Sequence, residues 1–214
     1  MMFLEIKEKT TLFFIALFYI TGAFLLTSNN LNFRFFFEYS FFIILFNFLI
    51  VIIFQKNKFN KKFLLFFILF YLFFFFIEVL WVKTGKIFGS YFYGESLGFK
   101  IFETPVLIGL NWIFLIYLTF AFSELFKISD KFKIILSSFL MLFYDFILEK
   151  VAPLMGLWFW EGNSVPFLNY FSWFIFALIS HFILRFFKFE IKNIFAVFIY
   201  FLQIIFYLII LFRI

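Results

Sequence analysis

The sequence predicts an all-α membrane protein, a polytopic bundle of about seven transmembrane helices with its N-terminus in the cytoplasm. Of the 214 residues, 66% are hydrophobic and only 14% are charged, whereas soluble domains have about half apolar and about a quarter charged residues. The apolar residues form continuous runs close to the roughly 20 residues that a helix needs to cross a bilayer. These runs lack the period-two alternation of membrane-spanning strands.

The seven runs are expected to form a single integral membrane domain over residues 1–214. They cover residues 11–27, 35–54, 63–82, 105–123, 132–149, 167–187 and 194–212. The first run is expected to remain as a span and not to be cleaved as a signal peptide, because Glu5 and Glu8 offset the neighbouring lysines.

The basic residues set the expected orientation of the bundle. With seven spans, twelve of the 18 lysines and arginines fall on the side of the N-terminus and six fall on the other side. Because short cytoplasmic loops carry an excess of these residues, we expect a multi-pass protein of the cytoplasmic (inner) membrane, surrounded by membrane lipid. This distribution also accounts for the net charge of +6, so no nucleic-acid partner is expected.

The composition excludes several kinds of site. The chain has no cysteine and a single histidine, His181. Disulfides, thiolate metal sites and multi-histidine centres are therefore excluded, and no metal site is expected. The 49 phenylalanines are attributed to compositional bias, and no ligand-binding role is assigned to them as a class.

Ionisable and amide side chains in the predicted spans gather beside two glycine-rich connections, residues 83–104 and 150–166. Such side chains are costly in a bilayer and are usually functional. They are Glu78 in the third span, Asn111 in the fourth, Asp145 and Glu149 in the fifth, and Asn169 in the sixth. We expect all five at one depth.

Asp145 and Glu149 are four residues apart, so both carboxyl groups project from one face of a helix. Two carboxyl groups that are close together in a low dielectric cannot both ionise easily, so one of them is expected to keep its proton. With Glu78 from a neighbouring helix, the site would contain both an acid and a base that activates water. The alternative is that these residues are interfacial charges, with Glu149 paired to Lys150.

The five tryptophans are expected to have two different roles. Trp81, Trp158 and Trp160 are expected in an aromatic belt at the membrane interface. Trp112 and Trp173 lie deeper, each near one of the two asparagines, and are expected to line a pocket in which an indole could stabilise a cation.

Several blocks between about Glu78 and His181 together resemble the carotenoid biosynthesis membrane proteins typified by bisanhydrobacterioruberin hydratase and related end-group hydratases. The first block contains Glu78, Thr84, Gly85, Phe88, Gly89, Tyr91, Tyr93, Leu97, Gly98, Pro105 and Trp112. Residues 144–149 form the second block, and residues 156–160 and 165–173 complete the pattern. The sequence departs from the family pattern at Ile87, Glu103, Thr104 and Asn111.

The resemblance implies an enzyme that adds water to a terminal double bond of an acyclic or monocyclic carotenoid and needs no cofactor. Glu78, Asp145 and Glu149 are then the catalytic candidates. The candidates for binding the carotenoid substrate are Asn111, Trp112, Asn169 and Trp173, together with Tyr91 and Tyr93. Two alternatives remain open, an end-group cyclase or isomerase and a non-enzymatic partner of pathway enzymes. Association with other carotenoid enzymes is a further expectation.

Overall fold

The computed structural model describes residues 5–26, 40–56, 61–86 and 89–213. Over these residues the chain forms seven α-helices, which confirms the prediction of a helical bundle. Thr27 and Phe35, the predicted end of the first run and start of the second, lie outside the described residues. So do Arg34, Lys58, Ile87 and Phe88.

The helices are α1 (Ile6–Leu26), α2 (Ser40–Ile53), α3 (Lys61–Thr84), α4 (Leu107–Ser123), α5 (Asp130–Val151), α6 (Phe167–Phe186) and α7 (Ile194–Arg213). By length and composition, α1, α3, α6 and α7 could each cross a membrane, as expected of an integral membrane protein. The helices α2 and α4 are shorter apolar helices, and α5 carries charged residues at both ends. Whether these three cross the bilayer, and in which orientation, stays a prediction.

The fourth helix, α4, is the central helix of the bundle. Apart from the half-buried Leu110 and Phe122, all of its residues are buried. A helix that is apolar around its whole circumference belongs in a protein interior, and α4 contacts α2, α3, α5, α6 and α7. Its first turns therefore place Asn111 and Trp112 among the surrounding helices.

Two short antiparallel ribbons lie in the connections that the sequence predicted only as non-helical. In the first, β2 (Lys100–Ile101) pairs with β3 (Thr104–Pro105), so α4 begins two residues after the predicted start at Pro105. In the second, β1 (Tyr91–Tyr93) pairs with β4 (Trp158–Trp160). We call this β1–β4 pair the aromatic ribbon. It joins the α3–α4 connection to the α5–α6 connection.

The register of the aromatic ribbon places two tyrosines and two tryptophans on one face. Tyr91 lies opposite Trp160, and Tyr93 lies opposite Trp158. Because side chains alternate along a strand, these four point to the same side, and all four are buried. The middle residues of the two strands face the other way.

The expectation that Trp81, Trp158 and Trp160 form an interfacial belt is wrong. All three lie inside the protein, where these residues expose 0%, 7% and 6% of their surface. Trp158 and Trp160 turn inward because the alternation of β4 directs both of them to the face that packs against the helices. The positions of these tryptophans near predicted helix ends did not indicate the direction in which their side chains point.

The first testable prediction concerns Gly94, where the two connections come close together. A Cβ at Gly94 would lie 2.1 Å from the carbonyl oxygen of Gly156, and the Gly94 N–H donates to the carbonyl of Leu157 at 2.9 Å. Because backbone atoms cannot turn aside, Gly94→Ala is expected to displace the aromatic ribbon and to lower the free energy of unfolding by about 1–3 kcal/mol. Thermal unfolding of the purified protein in detergent measures this loss.

Gly22→Ala is the matched control. A Cβ at Gly22 would meet Phe206 at an ordinary 3.7 Å, and alanine favours a helix over glycine. Equal losses of stability in the two variants would contradict the packing described for Gly94.

Candidate functional site

A small cavity lies against the buried face of the aromatic ribbon, where α3, α4, α5 and α6 come together. Its volume is about 20 Å³, which is room for about one water molecule. Its walls are Glu78, Tyr91, Tyr93, Ile108, Asn111, Glu149, Trp158, Trp160, Asn169 and Trp173. Seven of the nine predicted site residues are therefore brought to one cavity. The other two, Asp145 and Trp112, lie directly behind it and are bonded to residues of its wall.

Glu78 is buried and accepts three hydrogen bonds. Its Oε1 accepts one from the Nε1–H of Trp112 at 2.7 Å. Its Oε2 accepts one from the hydroxyl of Tyr93 at 2.7 Å and another from the hydroxyl of Tyr91. A carboxylate can only accept, and each hydrogen bond to a charged group contributes about 1.5–3 kcal/mol. These donors therefore offset much of the cost of burying the charge.

Glu149 has a similar set of partners, contributed mainly by the other strand of the ribbon. Its Oε2 accepts from Trp158 Nε1–H at 2.9 Å and from Trp160 Nε1–H at 2.6 Å. The described residues show no ion pair between Glu149 and Lys150. The Lys150 Nζ lies instead over the ring of Phe146, 4.7 Å from its centroid. Glu149 is 4% exposed and is not an interfacial charge.

Asn169 joins the two acidic residues of α5. Its Nδ2 lies 3.2 Å from Oδ2 of Asp145 and 3.2 Å from Oε1 of Glu149. An amide nitrogen carries two hydrogens, so it can donate to both. Asp145 is fully buried, and its Oδ1 has no hydrogen-bond partner in the part of the chain that the structure describes. Asp145 thus stands behind Asn169 and does not line the cavity.

The three carboxyl groups depend on neutral donors. Across the described ranges, none of the three forms an ion pair with lysine or arginine. Nor do those ranges contain a group of three or more His, Cys, Asp or Glu side chains that could hold a metal ion. The carboxyl groups, which can act as acids and bases, are hydrogen-bonded by phenols, indoles and an amide.

Tyr91 and Tyr93 lie outside the helices and keep their protons at physiological pH. Burial raises the pKa of both phenols well above the ordinary value of 10.0, and the neighbouring Glu78 raises it further. Both tyrosines therefore remain hydrogen-bond donors to Glu78.

An aromatic stack lies behind one wall of the cavity and reaches the cavity through Trp173. The rings of Phe74 and Trp112 are 4.5 Å apart and nearly parallel, and those of Trp112 and Trp173 are 3.8 Å apart with an angle of 19°. The stack links α3, α4 and α6, and it places Trp173 at the cavity wall. Asn111, the residue before Trp112, also lines the cavity.

Sequence reasoning missed Ile108, Trp158 and Trp160 as residues of the site. The tryptophan pair had a signal, because Trp-Phe-Trp at 158–160 repeats the aromatic alternation of Tyr-Phe-Tyr at 91–93. Two such segments in connections at the same end of a bundle indicate a pair of strands. Ile108 carries no comparable signal.

All of these residues lie in the part of the chain that matches a known protein family. Residues 39–213 match the model of a family described as carotenoid biosynthesis protein. The matched region contains α2 to α7 and every residue of the site, and α1 precedes it. No curated protein and no solved structure matches the chain significantly.

The second testable prediction concerns the phenol donors to Glu78. Tyr93→Phe keeps the ring but removes one donor from a buried carboxyl group, so it is expected to lower the free energy of unfolding by about 1–3 kcal/mol. Tyr170→Phe is the control, because Tyr170 is half-buried and is not in the cavity wall; its change is expected to stay within about 0.5 kcal/mol. Chemical unfolding in detergent measures the free energy of unfolding of both variants. A loss for Tyr93→Phe no larger than that for Tyr170→Phe would contradict a stabilising contact between Tyr93 and Glu78.

Proposed function

This chain belongs to the carotenoid biosynthesis protein family, and we propose that it is a hydratase of the cytoplasmic membrane. It adds water to a terminal double bond of an acyclic or monocyclic carotenoid and uses no cofactor. The observation that carries the proposal is a cavity with room for about one water molecule, lined by buried carboxyl groups from two helices. Hydration of an alkene needs an acid, a base and one water, and this cavity offers groups suited to each.

The acid in this proposal is the Asp145–Glu149 pair. The two carboxyl groups contact the same amide nitrogen, and two neighbouring carboxylates in a low dielectric cannot both ionise easily. The pair therefore holds one proton. Oε2 of Glu149 already accepts two hydrogen bonds, whereas Oε1 accepts a single one at 3.2 Å. Oε1 is thus the atom best placed to carry the proton at the cavity wall.

The first chemical step transfers this proton to carbon. The π electrons of the terminal double bond form a C–H bond with the proton of Glu149 and leave a tertiary carbocation. Trp173 lines the cavity and is stacked on Trp112, and indole faces stabilise nearby cations by about 0.5–2 kcal/mol. Asp145 acts as a positioning residue, because it holds Asn169 and shares the proton of Glu149.

The second step captures water. The oxygen of the cavity water forms a C–O bond with the cation, and a proton of that water passes to the carboxylate of Glu78. Asn111 lines the same cavity and can orient the water. A return of the proton from Glu78 to the Asp145–Glu149 pair through the next water restores the starting state.

A cyclase or isomerase would begin with the same cation, which would then be attacked by another double bond or lose a proton. The cavity supports hydration because it has room for about one water molecule beside the carboxyl groups, and a water held there can capture the cation. A passive carrier would have no use for three buried carboxyl groups, which are costly to bury.

The third testable prediction is the mass of the product. Expression in cells that make lycopene is expected to yield a carotenoid that has gained one water, detected by chromatography and mass spectrometry. An isomer of unchanged mass would instead identify a cyclase or isomerase. Lycopene that co-purifies unaltered would identify a carrier.

The fourth testable prediction separates the roles of the carboxyl groups. Glu78→Gln and Glu149→Gln are each expected to lower the hydration rate by about 10²–10⁴-fold, because each removes an acid–base group. Asp145→Asn is expected to have a smaller effect, because the amide can still contact Asn169. Glu95→Gln is the control, since the Glu95 side chain is 88% exposed and does not line the cavity. Full activity of Glu78→Gln or Glu149→Gln, at normal protein levels, would refute the site.

A further inference from the structure

The cavity has no room for the substrate that the proposed function requires. About 20 Å³ holds about one water molecule, whereas the end group of a carotenoid is a branched hydrocarbon attached to a long apolar chain. The bundle must therefore open for the end group to reach Glu78 and Glu149, and the chain behind it must lie in a place that is open to lipid.

The boundary between α3 and α6 has little direct helix packing. Over the described residues, α3 packs closely against α4, and α6 packs closely against α5. Between α3 and α6 the contact is made by side chains, chiefly the ring of Phe176. Its centroid lies 6.1 Å from that of Phe73, 6.1 Å from that of Phe74 and 6.0 Å from that of Trp81. These separations are in the upper part of the range of aromatic pairs, about 4.5–7 Å.

The side chains at this boundary become more buried from the outer surface of the bundle towards the cavity. Phe73 is 48% exposed, Phe176 is half-buried, and Trp112 behind them is fully buried. The ring of Phe176 is 6.2 Å from that of Trp112. Trp173, which lines the cavity, precedes Phe176 by about one helical turn on α6. A displacement of Phe176 would therefore expose the aromatic stack beside the cavity to lipid.

A second apolar feature is a groove of about 410 Å³ between α2, α3 and α4, lined by residues that include Phe67, Tyr71 and Leu110. The contact between α3 and α4 separates it from the aromatic stack. The Tyr71 hydroxyl donates to the carbonyl of Val106 at 2.9 Å, and a Cβ on Gly109 would lie 2.8 Å from the carbonyl oxygen of Tyr71. The groove is larger, but helix backbone closes it off from that side.

We propose that the boundary between α3 and α6 binds the isoprenoid chain adjoining the reacting end group, and that Phe176 moves aside to admit this end group from the lipid. The inference rests on the proposed function. Every side chain named at the boundary is aromatic, which suits an apolar, unsaturated chain. The end group then passes Trp173 and reaches the carboxyl groups, while the rest of the chain remains in the membrane.

The absence of native cysteines allows a direct test by reversible cross-linking. In Phe73→Cys/Phe176→Cys, a short bifunctional thiosulfonate reagent would tie α3 to α6 at the boundary, and a reductant would release them. Hydration of lycopene in membrane vesicles is expected to fall by about tenfold or more on cross-linking, because a closed entry limits turnover. Activity is expected to return on reduction, which separates blocked entry from misfolding.

Two matched pairs of phenylalanines serve as controls. Phe139→Cys/Phe174→Cys ties α5 to α6, whose rings are 4.9 Å apart, and is expected to leave the rate unchanged. Phe48→Cys/Phe67→Cys ties α2 to α3 at the groove, which Phe67 lines; the two rings are 5.6 Å apart, and this cross-link is also expected to leave the rate unchanged. A reversible block by the groove pair alone would assign entry to the groove and overturn the proposal.

A single substitution tests the boundary without a reagent. Phe176→Trp is expected to raise KM by about tenfold and to change kcat by less than about twofold, because it narrows the path of the chain but touches no reacting atom. Unchanged KM, or loss of kcat alone, would contradict the inference. If unmodified protein hydrates lycopene but neither the boundary pair nor Phe176→Trp has an effect, the entry route is wrong. If unmodified protein forms no hydrated product, the proposed function itself fails.

Discussion

Carboxyl groups buried in an apolar helical bundle must be surrounded by hydrogen-bond donors, and this constraint governs the architecture of the chain. Burial of an unpaired charge is among the largest costs in a protein. Here the aromatic ribbon supplies two donors to each of two carboxyl groups: the tyrosines of β1 donate to Glu78, and the tryptophans of β4 donate to Glu149. The pairing of β1 with β4 therefore does more than join two loops, because it completes the surroundings of acids that come from α3 and α5.

The helices and the convergence of acids could be predicted from the sequence because both follow from polarity. Long apolar runs predict helices, and Glu78, Asp145, Glu149 and Asn169 all fall beside the same two connections. Hydropathy did not predict the ribbon, since three-residue strands are too short for a clear pattern; its signal was the matching aromatic alternation of residues 91–93 and 158–160. The same limitation led to the wrong assignment of Trp158 and Trp160. Hydropathy reports the segment in which a tryptophan lies, but the direction of its side chain depends on strand pairing between distant parts of the chain.

The structure also divides the polar residues into two layers that the sequence did not distinguish. Glu78 and Glu149 line a water-sized cavity, whereas Asp145 contacts it only through Asn169. Spacing along α5 placed both acids on one face, but the position of Asn169 between them depends on how α6 packs on α5. The stack of Phe74, Trp112 and Trp173 likewise depends on three helices meeting. A polar cavity thus lies beside the aromatic boundary between α3 and α6, and in the proposed function this is where the hydrocarbon substrate meets water.

In the proposed reaction the carboxyl groups protonate carbon, and water then captures the cation. The most direct measurement is the mass spectrum of the product formed from lycopene in D₂O and returned to ordinary water before analysis. One deuterium is expected on the carbon next to the new hydroxyl-bearing carbon, because the proton delivered by Glu149 exchanges with solvent. A hydroxylated product without carbon-bound deuterium would contradict this reaction, since the oxygen would then have been introduced without protonation of the double bond.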